Sequence, residues 1–140
     1  MSQSKVSIST VNKELLALLT SEGFRPSFTD DGVIEVKVEG GIFFISTEET
    51  DVGFFGITYP NFWAEDNNTN ASRMIDACNK ANSQSKFAKC VSLDNSAHCM
   101  IQALHPNAES FVNNFPRYVS AIKFGVNSFV ESMNSTTTRH

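Results

Sequence analysis

The stretch Asp31-Gly32-Val33-Ile34-Glu35-Val36-Lys37-Val38-Glu39-Gly40-Gly41 decides how this chain is read. Asp-Gly is a strong hairpin signal, because both residues tolerate the left-handed backbone of a tight two-residue turn. Gly40-Gly41 marks the next turn. Between the two, Ile34, Val36 and Val38 point one way, while Glu35, Lys37 and Glu39 point the other. Strand side chains change face at every residue. The segment is therefore a strand with one buried and one wet face, as an antiparallel sheet allows.

Working outward, Phe24–Asp30 is the strand before the first turn, and Ile42-Phe43-Phe44-Ile45, apolar on both faces, is the strand after the second. The acidic turn Glu48-Glu49-Thr50-Asp51 leads to a fourth strand, Phe54–Tyr59, which completes an antiparallel meander. Pro60 should end it, since proline has no N–H for a ladder, and Asn61 can bend the chain.

The flanks follow a helical period. Val11, Leu15, Leu16, Leu18 and Leu19 form a stripe that Thr10 can cap. Gly23 suits a left-handed helix end, with Phe24 placed as the apolar contact of a Schellman motif. A second helix lies within 64–82, with Ala71, Met74, Ile75, Cys78 and Ala81 as its narrow stripe. Lys86–Leu93 and Ala97–Leu104 form a last hairpin around Asp94-Asn95-Ser96. One turn placement sets Cys90 opposite Cys99; the other sets it opposite Ile101. Pro106-Asn107 opens a final helix, with Glu109 in its first turn. Its stripe is Phe111, Phe115, Tyr118, Ile122, Val126, Phe129 and Met133, and Pro116 should kink or split it. Residues 1–9 and 134–140 read as loose ends. The order is helix, four-strand meander, helix, two-strand hairpin, helix. That argues an α+β fold in a single domain over 1–140, with an ordered core of about 10–133.

Composition narrows the function. The chain has 140 residues, 41% apolar, with 12 phenylalanines, which is enough for one compact core. The net charge is −4, and Lys and Arg are scattered, so no nucleic-acid partner is expected. No apolar run is long enough to cross a membrane. The N-terminus lacks the apolar middle of a secretion signal, so a cytoplasmic location is expected. Cys78, Cys90 and Cys99 are an odd number without a CxxC pair, which suits reduced thiols. Three Asn-x-Ser/Thr matches carry no weight without a signal peptide.

No catalytic or metal-binding constellation stands out. His98, His105, Cys90 and Cys99 lack zinc spacing. Cys90 has Lys89 and, across the hairpin, His98 as possible activators, but Cys90 and Cys99 also sit where small core residues belong. Asp30-Asp31 and Glu48, Glu49 and Asp51 lie in turns, where exposed acids are usual. Gly40-Gly41 joins two strands, not a strand to a helix, so no phosphate loop is indicated. Neither a cofactor, a metal nor an enzymatic activity is expected.

The aromatics remain. Phe43-Phe44 and Phe54-Phe55 point to both faces of the sheet. A second face that carries apolar residues either takes a partner or is covered by the chain's own loops and helices. Exposed strand edges offer a further route, by strand addition. Tyr59-Pro60-Asn61-Phe62-Trp63 reads as structure, with Phe62 and Trp63 anchoring the second helix's entry on the sheet. Its other reading is the rim of a binding groove, since tryptophan is favoured at hot spots. The candidate partner-binding residues are Phe43, Phe54, Tyr59, Phe62 and Trp63.

The succession of motifs resembles a known family. Gly23-Phe24-Arg25-Pro26, Asp31-Gly32, Ile34-Glu35-Val36-Lys37, Phe43-Phe44-Ile45 and Pro60-Asn61-Phe62-Trp63 occur in the order seen in the bacterial YbjN-type sensory transduction regulators. Ala77, Asn79, Ala81-Asn82 and Lys86-Phe87-Ala88-Lys89 are similar to that family's second helix and next strand. The resemblance covers about residues 11–132. That family is similar in fold to the type III secretion chaperones, small acidic α+β proteins that commonly dimerise and hold an extended client segment. The resemblance implies a non-enzymatic, homodimeric protein-binding module, chaperone-like or a regulatory adaptor, for a protein or peptide client. It supplies no catalytic residue. The Asn- and Ser-rich second helix departs from the chaperones' dimer-forming helix. The alternative is a small-ligand sensor with a pocket between sheet and helices, near Phe115, Tyr118 and Phe129. A third expectation, an enzyme using Cys90 or Cys99, is the weakest on these residues.

Overall fold

The computed structural model describes residues 8–135. The loose ends expected from the sequence fall mostly on 1–7 and 136–140, outside the described range. The elements are α1 (Thr10–Ser21), β1 (Arg25–Phe28), β2 (Ile34–Val38), β3 (Gly41–Thr47), β4 (Phe54–Ala64), α2 (Ala71–Gln84), β5 (Lys89–Leu93), β6 (Ser96–Leu104) and α3 (Ala108–Asn134). The fold is α+β, in the expected order. Meander and hairpin join in one six-stranded antiparallel sheet, ordered β1-β2-β3-β4-β6-β5. The chain divides into two compact units. One ends at Ile57 and adds Gln102–Pro116; the other takes Thr58–Ile101 and continues from Arg117.

In the first unit, Ser9 rather than Thr10 caps α1, its hydroxyl accepting from the Asn12 N–H at 3.1 Å. The expected Schellman ending is present: Gly23 has φ +93°, and the Phe24 N–H donates to the Leu19 carbonyl at 3.0 Å. Leu15 and Leu19 are buried, but Val11 lies at the exposed start of the helix. Asn12 ties α1 to the strands, donating to the Gly32 carbonyl and accepting from the Thr47 hydroxyl. The β2–β3 turn is Glu39-Gly40, one residue earlier than read from the sequence, because Gly41 already pairs with Val38. Ile34, Val36, Phe43, Ile45, Phe55 and Ile57 form the inner face. The Phe55 ring stacks on Phe111 of α3 at 5.0 Å, and Phe24 meets Phe115 edge-on at 5.0 Å.

In the second unit, Pro60 does not end β4, which runs on to Ala64. Proline forbids a ladder bond only at its own nitrogen. The next residue, Asn61, takes φ +53° and donates its N–H to His98 Nδ1 at 3.1 Å. Tyr59 and Phe62, three apart, stack with ring centroids at 6.3 Å. The second helix starts only at Ala71. Residues before it are held in turns, with the Thr69 N–H on the Asn67 side chain, the local bonding that keeps Asn out of helices. The buried face of α2 is Met74, Ala77, Cys78 and Ala81. Ile75, placed on that stripe from the sequence, is exposed instead.

The Asp94-Asn95 turn, with both residues at positive φ, sets the last hairpin in the register that pairs Cys90 with Cys99. Asn107 caps α3 through its side chain, accepting from the Ser110 N–H at 2.8 Å. The helix continues through Pro116 as one element, so the expected split does not occur. Pro116 is exposed.

Candidate protein-binding surface

Strict alternation of burial along β2 and β3 defines two faces of the sheet in the first unit. On the outer face lie Ile42, 40% exposed, and half-buried Phe44, from β3. Register sets Phe44 opposite Glu35 and Ile42 opposite Lys37. Half-buried Phe54 belongs to the same face by the alternation of β4, since its neighbours Phe55 and Ile57 point inward. Its ring passes over Gly56, where a Cβ would lie 3.6 Å from the ring and 2.8 Å from the Ser46 hydroxyl. Glycine thus lets an aromatic ring and a serine close over the strand. The result is an outer surface with three apolar side chains set among charged ones.

Of the candidate residues, Phe54 lies on this surface and Phe43 does not. Phe43 is only 1% exposed and pairs with Val36 on the inner face. The sequence carried the signal to correct this. With the turn at either Glu39-Gly40 or Gly40-Gly41, Phe43 falls on the face of Val36, and Ile42 and Phe44 fall on the opposite one.

Tyr59, Phe62 and Trp63 belong to the second unit, where Tyr59 stacks on Phe62, and Phe62 and Trp63 meet Phe129 of α3. Phe62 meets that ring edge-on at 5.1 Å, and Trp63 meets it at 5.8 Å. Phe62 and Trp63, expected at the entry of α2, are strand residues that pack on α3. Trp63 also reaches that entry through Glu65 and Asn70. The Trp63 indole N–H donates to Glu65 at 2.7 Å, and the Asn70 amide donates to the other carboxylate oxygen at 3.0 Å. These two bonds hold the Glu65 carboxyl below its ordinary range. Tyr59, Phe62 and Trp63 are half-buried, and Glu65 links the strand end to the start of α2.

The strand edges are protected. Pro26 stands in edge strand β1. At the other edge, the outward N–H and C=O of Cys90 are both bonded to the Asn82 side chain, at 2.6 and 3.1 Å. Both devices discourage an added strand at those positions. Lys89 reaches back to the carbonyls of Asn82 and Ser85 at the end of α2.

The ionisable interior is small. Cys78, Cys90 and Cys99 are free and buried. Burial pushes the Cys78 thiol up to about 11. The hydrogen bond between the other two lowers Cys90 and, together with burial, raises Cys99. His105 shares a 2.8 Å hydrogen bond with the Ser110 hydroxyl, and its burial lowers its pKa. Among the described residues, no three His, Cys, Asp or Glu come together in a way that could hold a metal ion. No helix there is long and apolar enough to cross a membrane. A cavity of about 260 Å³ lies between the start of α1 and the β3–β4 loop, lined by Val11, Val52, Phe54 and Phe55 beside Glu48 and Glu49.

No protein-family model matches this chain, and no curated protein matches it.

Proposed function

We propose that this chain is a non-enzymatic binding module that works as a homodimer in the cytoplasm. Its outer sheet face around Ile42, Phe44 and Phe54 holds an apolar segment of a protein or peptide. The observation that supports this reading is the outward placement of those side chains on β3 and β4, with Ile42 exposed and Phe44 and Phe54 half-buried. Such a patch, rimmed by Glu35 and Lys37, has the make-up of an association surface. The order of motifs shared with the YbjN-type regulators supports the same reading, as does that family's likeness to the secretion chaperones. The acidic balance of the chain agrees with it.

Light scattering of the full chain over a range of concentrations tests the dimer. The expected mass is that of two chains. Ile42→Glu with Phe44→Glu should lose any protein captured by the wild type while keeping its circular dichroism. A strict monomer that captures nothing beyond what the double variant captures would overturn the proposal.

The cavity beside Val11 and Phe54 favours a second reading, a small-ligand sensor. At about 260 Å³ it falls just below the range of about 300–1,000 Å³ usual for ligand pockets. It lies at the start of α1, not around Phe115 and Phe129, whose rings are fully buried. A small molecule retained in native mass spectra would favour this reading over the first.

A further inference from the structure

The register of β5 on β6 sets Cys90 directly opposite Cys99. Leu93 and Ser96 flank the two-residue turn and so form a hydrogen-bonded pair. Bonded and non-bonded pairs alternate from there, which makes Cys90 and Cys99 a non-bonded pair. The Cys90 backbone agrees, because both of its polar groups are turned outward to Asn82. Non-bonded pairs are the closer kind, with Cα atoms about 4.5 Å apart. That lies within the span of about 4.4–6.8 Å that a disulfide bridges.

The two sulfurs also meet at one point of α3. A Cβ on Gly125 would lie 3.2 Å from Cys99 Sγ and 3.7 Å from Cys90 Sγ. Cys90 Sγ is 3.7 Å from the Gly125 carbonyl, and Cys99 Sγ is 3.8 Å from that of Ile122. Both thiols therefore point the same way, into the space that a glycine leaves.

We propose that Cys90 and Cys99 are a redox-active dithiol that a small hydroperoxide converts into an intramolecular disulfide. Cys90 sulfur attacks one peroxide oxygen. An S–O bond forms, the O–O bond breaks and an alcohol or water leaves, so that Cys90 becomes a sulfenic acid. Cys99 sulfur then attacks Cys90 sulfur. The S–S bond forms, the S–O bond breaks, and water leaves with the remaining thiol proton. The two cysteines lose two electrons and the peroxide gains them.

Cys90 takes the first step because it stands on a five-residue edge strand, where local opening admits a small oxidant most easily. Cys99, on the inner strand, resolves the sulfenic acid. Cys78 lies on α2, outside the pair, and its burial keeps it a thiol. Closing the bond fastens edge strand β5 to β6, so the oxidation state of the pair sets how readily that edge opens.

The test treats the reduced full chain with hydrogen peroxide, alkylates it in denaturant, and maps it by mass spectrometry. The expected product is two hydrogens lighter, with Cys90 and Cys99 protected, Cys78 alkylated, and the change reversed by dithiothreitol. Dimedone should label Cys90 in Cys99→Ser. Three alkylatable cysteines after peroxide, or a bond to Cys78 or between chains, would overturn the proposal. The wild-type mapping decides the matter even if the variant fails to fold.

Discussion

The β2–β3 and β5–β6 hairpins turn by the same device and carry opposite loads. Each closes through two consecutive residues at positive φ, Glu39-Gly40 in one and Asp94-Asn95 in the other. The first hairpin fills its inner face with Ile34, Val36, Phe43 and Ile45, and leaves Ile42 and Phe44 outside. The second has only Cys90, Ala97, Cys99 and Ile101 buried. Its small inner side chains let α3 approach until Gly125 meets two sulfurs. Bulk on the inner face thus leaves the first hairpin only its outer surface to offer. Small thiols on the inner face give the second a chemistry of its own.

The comparison breaks most sharply at Phe129. Its fully buried ring takes the edges of Phe62 and Trp63. Phe129→Ala should cost about 3–5 kcal/mol in urea unfolding, as large cavities in aromatic cores do. A cost below 1 kcal/mol would mean that the cluster closes over the gap.

Asn82→Ala comes next. It strips both outward bonds from Cys90 and should cost about 1–3 kcal/mol, the range for leaving part-buried polar groups unpaired. Amide exchange at Cys90 should accelerate while that at Val36, in the other hairpin, stays unchanged. Equal acceleration at both would dissolve the distinction between the hairpins.

Acid separates the two units more gently. His105, in the first, has its pKa lowered by burial from 6.5. The unfolded chain then takes up a proton that the folded one refuses. The stability contributed is complete above about pH 6.5 and is lost as pH falls toward the folded value. Glu65, in the second, has its pKa lowered from 4.5 by the Trp63 and Asn70 bonds. Its contribution is complete above about pH 4.5 and is lost only as pH falls further. Melting temperatures across this range should therefore decline in two steps, with His105→Gln removing the upper and Glu65→Gln the lower.

The smallest effect on folding is expected from Ile42→Thr. At 40% exposure on an outer face, this substitution should change stability by no more than about 0.5 kcal/mol while weakening capture of a partner protein. A large loss of stability would show that Ile42 packs as core.

The sequence told most where one rule acted alone. Alternation at Ile34, Val36 and Val38 gave the strand and its inner side, and Gly23 with Phe24 gave the end of α1. It misled where two rules competed. Pro60 signalled a stop, but the left-handed Asn61 and the imidazole of His98 carried the strand past it. That acceptor lies 37 residues away in the chain, so no local pattern could announce it. Ile75 sat at a helical spacing, yet Ala77 took the buried place, because Met74, Ala77, Cys78 and Ala81 lie on one face at i, i+3, i+4 and i+7. Of the candidate surface, Phe54 was found directly. Ile42 and Phe44 were within reach of the parity argument that removes Phe43. The thiol pair needed the hairpin register, which tertiary packing chooses.

The side chain of Asn82 has a further consequence. A primary amide presents an N–H and a C=O side by side, as a peptide group does, so it stands in for the next strand of a growing sheet. At Cys90 it occupies the N–H and C=O that a further strand would need. Slow hydrolysis of that amide to a carboxylate would set a negative charge against the Cys90 carbonyl and reopen the template. The first filaments seen by electron microscopy in aged preparations should be enriched in chains carrying the hydrolysed side chain.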